Sequence, residues 1–230
     1  MKTAIAGLVV FVSLQLTSPA QRHTPAIQAP TLASESPALL AAQHLTAKGR
    51  APKTGYKRSQ FGPAWRDVDH NGCDTRNDVL RRDFIRVVIK ARTHGCKVIG
   101  GSWIDPYSGQ SVEFSSAPSQ LDADHVVSLS DAWQTGAQYW SKTQREALAN
   151  DPLNIVITTA SLNRQKSDSD AASWLPPRVA FRCDFVARQV AVKQKYGLWV
   201  TSAEKTAIIA ILSGPACLHT TLPDGNQRPV

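Results

Sequence analysis

Acidic side chains are in short supply: 18 Asp and Glu stand against 26 Lys and Arg in 230 residues, a formal net charge of +8. This deficit disfavours a basic partner and favours a polyanionic one, such as nucleic acid or an acidic surface. Beyond the N-terminus, apolar runs never reach the roughly 18 residues that a membrane span needs, which excludes a polytopic membrane protein. No period of about 20–50 residues recurs, so a solenoid is not expected. No Cys-x-x-Cys or His-x-x-x-His spacing occurs, which argues against a structural zinc site. With 42% hydrophobic residues the chain is nonetheless rich enough for one domain with a sizeable core.

The two ends read differently from the middle. Met1-Lys2 is followed by an almost wholly apolar stretch, Thr3 to Leu16, and then by Ser18-Pro19-Ala20. That order predicts a secretory signal peptide over 1–20, cut near Ala20, and hence a secreted, extracellular protein without a membrane anchor. Residues 21–53 are rich in Ala, Pro, Ser and Thr and predict a linker or pro-segment, with a short helix at Leu39 to Thr46 that lacks an obvious partner. Residues 222–230 predict a flexible tail, leaving 54–221 as the folded unit.

Four cysteines behind an export signal predict two disulfides. Three pairings are open. The nearest-neighbour set, Cys73 with Cys96 and Cys183 with Cys217, is the expected one, each bridge bracketing one helix and contributing about 3 kcal/mol.

Within the folded unit, Asp74 or Thr75 caps a helix expected to reach Thr93, with Val79, Leu80, Phe84, Val87, Val88 and Ala91 on one face. Val98 to Ile104 and Ser111 to Phe114 form a hairpin around Asp105-Pro106-Tyr107-Ser108-Gly109. Leu121 to Val127 and Leu153 to Thr158 are short strands, and Ala160 to Ser167 starts a helix. Capping boxes at Ser141/Gln144 and Thr201/Glu204 open two further helices, and Arg178 to Tyr196 is another. Helices alternate with small hairpins without a βαβ rhythm, so the class is α+β.

The chemistry-bearing residues cluster in Asp122-Ala123-Asp124-His125-Val126-Val127, Asn154, and Asn163-Arg164-Gln165-Lys166. Asp124 and His125 are strand neighbours and face opposite ways unless the strand ends there. A carboxylate and an asparagine oxygen are hard donors suited to Mg²⁺, Mn²⁺ or Ca²⁺. A neutral imidazole beside such an ion can take a proton from water. Taken one at a time, each residue fits a surface pair, a helix cap or a solvated charge as well.

Together the residues resemble the HNH (ββα-metal) nucleases, and more closely the secreted HNH proteins related to the C-terminal domain of the GmrSD restriction enzymes. The likeness runs through Gly55-Tyr56, Phe61-Gly62, Cys73 to Leu80, Gly95 to Val98, Gly101 to Trp103 and Asp105 to Gly109. It continues through Asp124 to Val127, Ala132-Trp133, Gly136-Ala137, Ala149 to Asp151, Asn163 to Lys166, Trp174 to Pro177, Cys183 and Lys193 to Leu198. One departure is Ser128, where the group usually carries proline.

The resemblance implies a ββα-metal core embellished with helices and a hairpin, and secreted, metal-dependent hydrolysis of phosphodiester bonds with low sequence specificity. The substrate is DNA, with RNA left open. It implies His125 as general base, Asp124 and Asn163 as ligands of one divalent cation, Mg²⁺ first and Mn²⁺ or Ca²⁺ as alternatives, Asn154 as the residue orienting His125, Lys166 on phosphate, and Arg76 as a phosphate clamp. The competing expectation is a secreted cationic protein that binds nucleic acid or a surface without cutting.

Overall fold

Two antiparallel sheets and seven α-helices make up the computed structural model, which describes Met1 and residues 35–115 and 120–229. The expected signal peptide lies outside the described residues. The helices are α1 (Pro37–His44), α2 (Thr75–Asp83), α3 (Leu129–Gln134), α4 (Lys142–Ala149), α5 (Ala160–Lys166), α6 (Arg182–Tyr196) and α7 (Ser202–Leu212). The strands are β1 (Arg86–Ile89), β2 (Val98–Ile104), β3 (Ser111–Phe114), β4 (Leu121–His125) and β5 (Ile155–Thr159). Among the described residues, no helix is long and apolar enough to cross a membrane. The α+β class is as expected.

β4 and β5 pair in antiparallel register, Asp124 opposite Val156 and His125 opposite Ile155. This short sheet is buried on both faces. Val156 points into a core shared with α6 and α7, while Ile155 and Ile157 point into a second core with Val79, Leu80, Phe84 and Trp103. Alternation along the strand supplies both faces, so β5 reads as a continuous β-branched run. α5 follows β5 directly and packs on both strands. A third core, with Phe61, Val127, Trp133 and Leu148, lies beneath α3 and α4.

Four expectations need correction. The helix opened by Asp74 stops at Asp83, and Phe84 takes an extended conformation. The run that follows is β-branched and becomes β1, paired with β2 to make a three-stranded sheet. Val87, Val88 and Ile89 suit a pleated surface better than a helix, and cross-strand pairing settles the choice. Asp83 also anchors the helix end, its carboxylate accepting from the Ile157 amide at 2.9 Å.

The stretch 21–53 is not all linker. α1 packs on α6 and α7, with Ala38 and Ala42 fully buried and Leu39 and Leu45 nearly so. The chain after it stays docked, through a parallel bridge of Ala47 to Val200 and a Lys48 amide to Val200 carbonyl bond of 2.9 Å. The expected loose tail is tied down as well. Arg228 donates to the carbonyls of Arg82 and Phe84, and Arg82 donates to that of Gly225.

The disulfides pair as expected, Cys73 with Cys96 and Cys183 with Cys217. The first encloses α2 and β1, and the second encloses α6 and α7, rather than one helix each.

Candidate active site

β4 ends at His125, and this resolves the opposed directions of Asp124 and His125. With the strand finished, both residues border one open cleft of about 350 Å³. Asn163, from the middle of α5, lines the same cleft, as do Lys53, Arg58 and Asp168.

His125 is 6% exposed. Its Nε2 lies 2.8 Å from the carbonyl oxygen of Ala149, at the end of α4. A carbonyl can only accept, so Nε2 carries the proton and Nδ1 keeps a free lone pair in the neutral ring. Trp65 covers one face of the imidazole, with centroids 6.0 Å apart and planes within 8°. Trp65 itself sits at φ +63°, a left-handed backbone that a bulky residue seldom adopts. Burial pulls the imidazole down to about 4. The bond to Ala149 opposes that shift, and the charges of Arg58 and Lys166 add to it. The ring is therefore neutral at neutral pH.

Asp124 is 4% exposed and doubly held. Lys166 Nζ donates to its Oδ1 at 2.9 Å, and the Tyr107 hydroxyl donates to its Oδ2. Burial raises the carboxyl above its ordinary range, with Lys166 and Tyr107 partly offsetting the rise. Burial, and then the Asp124 charge, drives the Tyr107 phenol well above its usual value. Tyr107 owes its position to the turn before it. Asp105 accepts from the Tyr107 amide at 2.9 Å and from Thr158 Oγ1 at 2.9 Å, fastening the turn to β5.

Lys166 is fully buried, and its second bond runs to the His125 carbonyl at 2.8 Å. Both bonds point inward, so it cannot reach a phosphate in this arrangement, and its charge neutralises Asp124 instead.

Asn154 makes no hydrogen bond to the His125 ring among the described residues. Its side chain accepts from the Val127 amide at 2.8 Å and donates to the Val127 carbonyl at 3.1 Å, and its own carbonyl accepts from the Val126 amide. It holds the backbone just past His125, and Ala149 rather than Asn154 fixes the tautomer.

Arg76 sits in the first turn of α2, does not line the cleft, and has no ion pair or side-chain hydrogen bond among the described residues. The cation on the cleft is Arg58, exposed, likewise unpaired, and close enough to His125 to depress its basicity. The sequence reading missed Arg58, Trp65, Tyr107 and the Ala149 carbonyl. All four flank or lie within stretches of the resemblance, but the Ala149 carbonyl carries no residue-type signal.

The donor chemistry for a metal ion fits in part. Asn163 Nδ2 donates to Asp122 Oδ2 at 3.0 Å, which leaves its Oδ1 without a hydrogen bond at the cleft wall. Asp124 also borders this cleft, but both its carboxylate oxygens are already bonded, to Lys166 and to Tyr107, so Asn163 offers the oxygen of the pair that has no hydrogen bond. Such an all-oxygen set suits a hard divalent cation. A second acidic group, Asp131, Asp170 and Glu204, is close enough to share an ion. Its charges are already matched by Arg50, at 3.0 Å from Asp131 and 2.7 Å from Asp170, and by Lys193, at 2.9 Å from Asp131 and 2.6 Å from Glu204. That group is a buried ion-pair network.

The model of the GmrSD restriction endonuclease C-terminal domain matches residues 74–211, which span α2 to α7 and the whole β4–β5–α5 unit. A protein of Arthroderma benhamiae named "Uncharacterized secreted protein" is 38% identical over 200 residues, covering 86% of this chain and 92% of that one. No solved structure matches. With the match covering more than half of the chain and reaching its cleft, the protein belongs to the family of the C-terminal domain of GmrSD restriction endonucleases.

Proposed function

We propose that the protein is a secreted, metal-dependent endonuclease of HNH type that hydrolyses phosphodiester bonds of DNA. The observation that carries this reading is the buried, neutral His125. Its Nε2 is pinned by Ala149 and its Nδ1 is left free, on a cleft it shares with Asp124 and Asn163. Two antiparallel strands leading into a helix, with these residues at the strand end and on the helix, support it further.

In this reading Nδ1 of His125 removes a proton from a water placed in line with the scissile bond. An imidazole held at about 4 is a weak base. A phosphodiester anion entering the cleft favours the imidazolium and raises that basicity toward neutrality. Asp124 and Asn163 would hold the divalent ion, Mg²⁺ first and Mn²⁺ or Ca²⁺ as alternatives, which would supply positive charge to the substrate phosphate. Lys166 and Tyr107 fix the Asp124 carboxylate, and Asn154 fixes the turn beyond His125. The phosphate contact foreseen for Lys166 and Arg76 falls to Arg58, whose guanidinium can hold two phosphate oxygens.

The test is a gel zymogram on DNA and on RNA, run with Mg²⁺ and with EDTA. Cleared bands with Mg²⁺ that vanish with EDTA are expected, on DNA at least. Retarded migration of nucleic acid with no clearing under any metal would overturn the reading in favour of a cationic binder.

A further inference from the structure

Between Asp83 and Asp105 the chain carries no acidic residue, yet it carries Arg86, Lys90, Arg92 and Lys97. This is the β1–β2 hairpin. All four cations are exposed, and none has an ion pair or side-chain hydrogen bond among the described residues. Elsewhere several cations have carboxylate partners, among them Arg50, Arg66, Arg82, Lys166 and Lys193, whereas this hairpin has no acidic residue to supply one.

The hairpin also places like charges against each other. The Lys90 amide donates to the Lys97 carbonyl at 2.8 Å, one step beyond the Ile89–Val98 pair, so the two lysines stand opposite across the ladder. Opposed like charges weaken a strand pair. A bound anion relieves that repulsion.

The tip between them is held stiffly. Arg92 and His94 lie at φ +61° and +52°, in the left-handed region. Thr93 Oγ1 donates to the Lys90 carbonyl at 2.7 Å and accepts from the Lys97 amide. Arg81 from α2 donates to the Gly95 carbonyl at 2.9 Å, and the Cys73–Cys96 disulfide ties the tip to the start of α2. A surface ordered in advance loses little freedom on binding.

We infer that the β1–β2 hairpin is a second anion-binding surface, outside the cleft, that grips the phosphate backbone of a nucleic-acid substrate. The inference rests on the nuclease reading for its choice of partner. Charge spread along a ladder suits the repeating phosphates of a strand. The tip, residues 90–97, which carries three of the four cations, includes no large apolar side chain, and the exposed Val88 of β1 is a single apolar group too small to anchor in lipid; this favours nucleic acid over a membrane.

The experiment uses the full-length protein with K90Q/R92Q/K97Q. Binding to a fluorescent DNA duplex is measured in a His125→Ala background from low to moderate salt. Hydrolysis of bis(p-nitrophenyl) phosphate is measured with His125 intact. The expected result is at least a tenfold loss of duplex affinity at low salt and a salt slope lower by about 3. Turnover of the small diester should be unchanged within twofold, and thermal stability unchanged or higher, since the substitutions remove the lysine repulsion. Unchanged duplex affinity, or a loss confined to vesicles containing phosphatidylserine, would overturn the inference. A parental protein that fails to hydrolyse the small diester in the presence of Mg²⁺ counts against the nuclease reading, while the binding measurement still judges the hairpin.

Discussion

Removing the Lys166 ammonium leaves the Asp124 carboxylate buried with the Tyr107 hydroxyl but without a countercharge. Stranding a buried charge in this way costs about 3–5 kcal/mol. Lys166→Ala should therefore lower the unfolding free energy from urea titration by that much, and an unchanged free energy would restore the surface role. The His125 shift has a defined sign. A histidine depressed from 6.5 to about 4 on folding contributes stability fully present above pH 6.5 and lost as pH falls through 4. The contribution is about 3 kcal/mol. Urea titrations between pH 4 and 7 should show a flatter pH dependence for His125→Gln than for the parent. The types and spacings of Asp124, His125 and Asn163 were visible in the sequence because hard donors and an imidazole are chemically distinctive. The inward course of Lys166 was not, since burial depends on which surfaces close over a side chain. The Ala149 carbonyl had no signature at all.

At the scale of elements, β4, β5 and α5 were legible from local rules, and each begins and ends within two residues of its expected place. The hydrophobic pattern from Val79 to Ala91 satisfied a helix and a strand alike, and only the presence of β2 decided between them. α1 was misjudged for the opposite reason. Its eight residues are short and Ala-rich, and its burial depends on α6 and α7, some 140 residues further along. Leu39 is 6% exposed in that contact. Leu39→Ala should cost about 2–5 kcal/mol in thermal or chemical unfolding while leaving the cleft chemistry of the folded protein intact. A cost below 0.5 kcal/mol would return the segment to the status of a linker.

At the scale of the molecule, the excess of positive charge is not spread evenly. Several cations are taken up by carboxylates of the fold: Lys166 beneath the cleft, and buried Lys193 with the more exposed Arg50 in the network that joins the segment after α1 to α3, α6 and α7. In that network burial raises Glu204 to about 7, with Lys193 opposing the shift. The cations left exposed and unpaired include Arg58 on the cleft and the four on the β1–β2 hairpin. Net charge alone pointed to a polyanion, but only the fold separates structural cations from those free to meet one. The same folding brings the β4 terminus, α4 and α5 together so that one imidazole has a fixed tautomer beside two oxygen donors. The most direct test of this arrangement is conversion of supercoiled plasmid in Mg²⁺ by the parent and by His125→Ala, with plasmid binding measured in parallel. The account predicts nicked and linear products from the parent only and equal binding by both; cleavage at the parental rate by His125→Ala would contradict it.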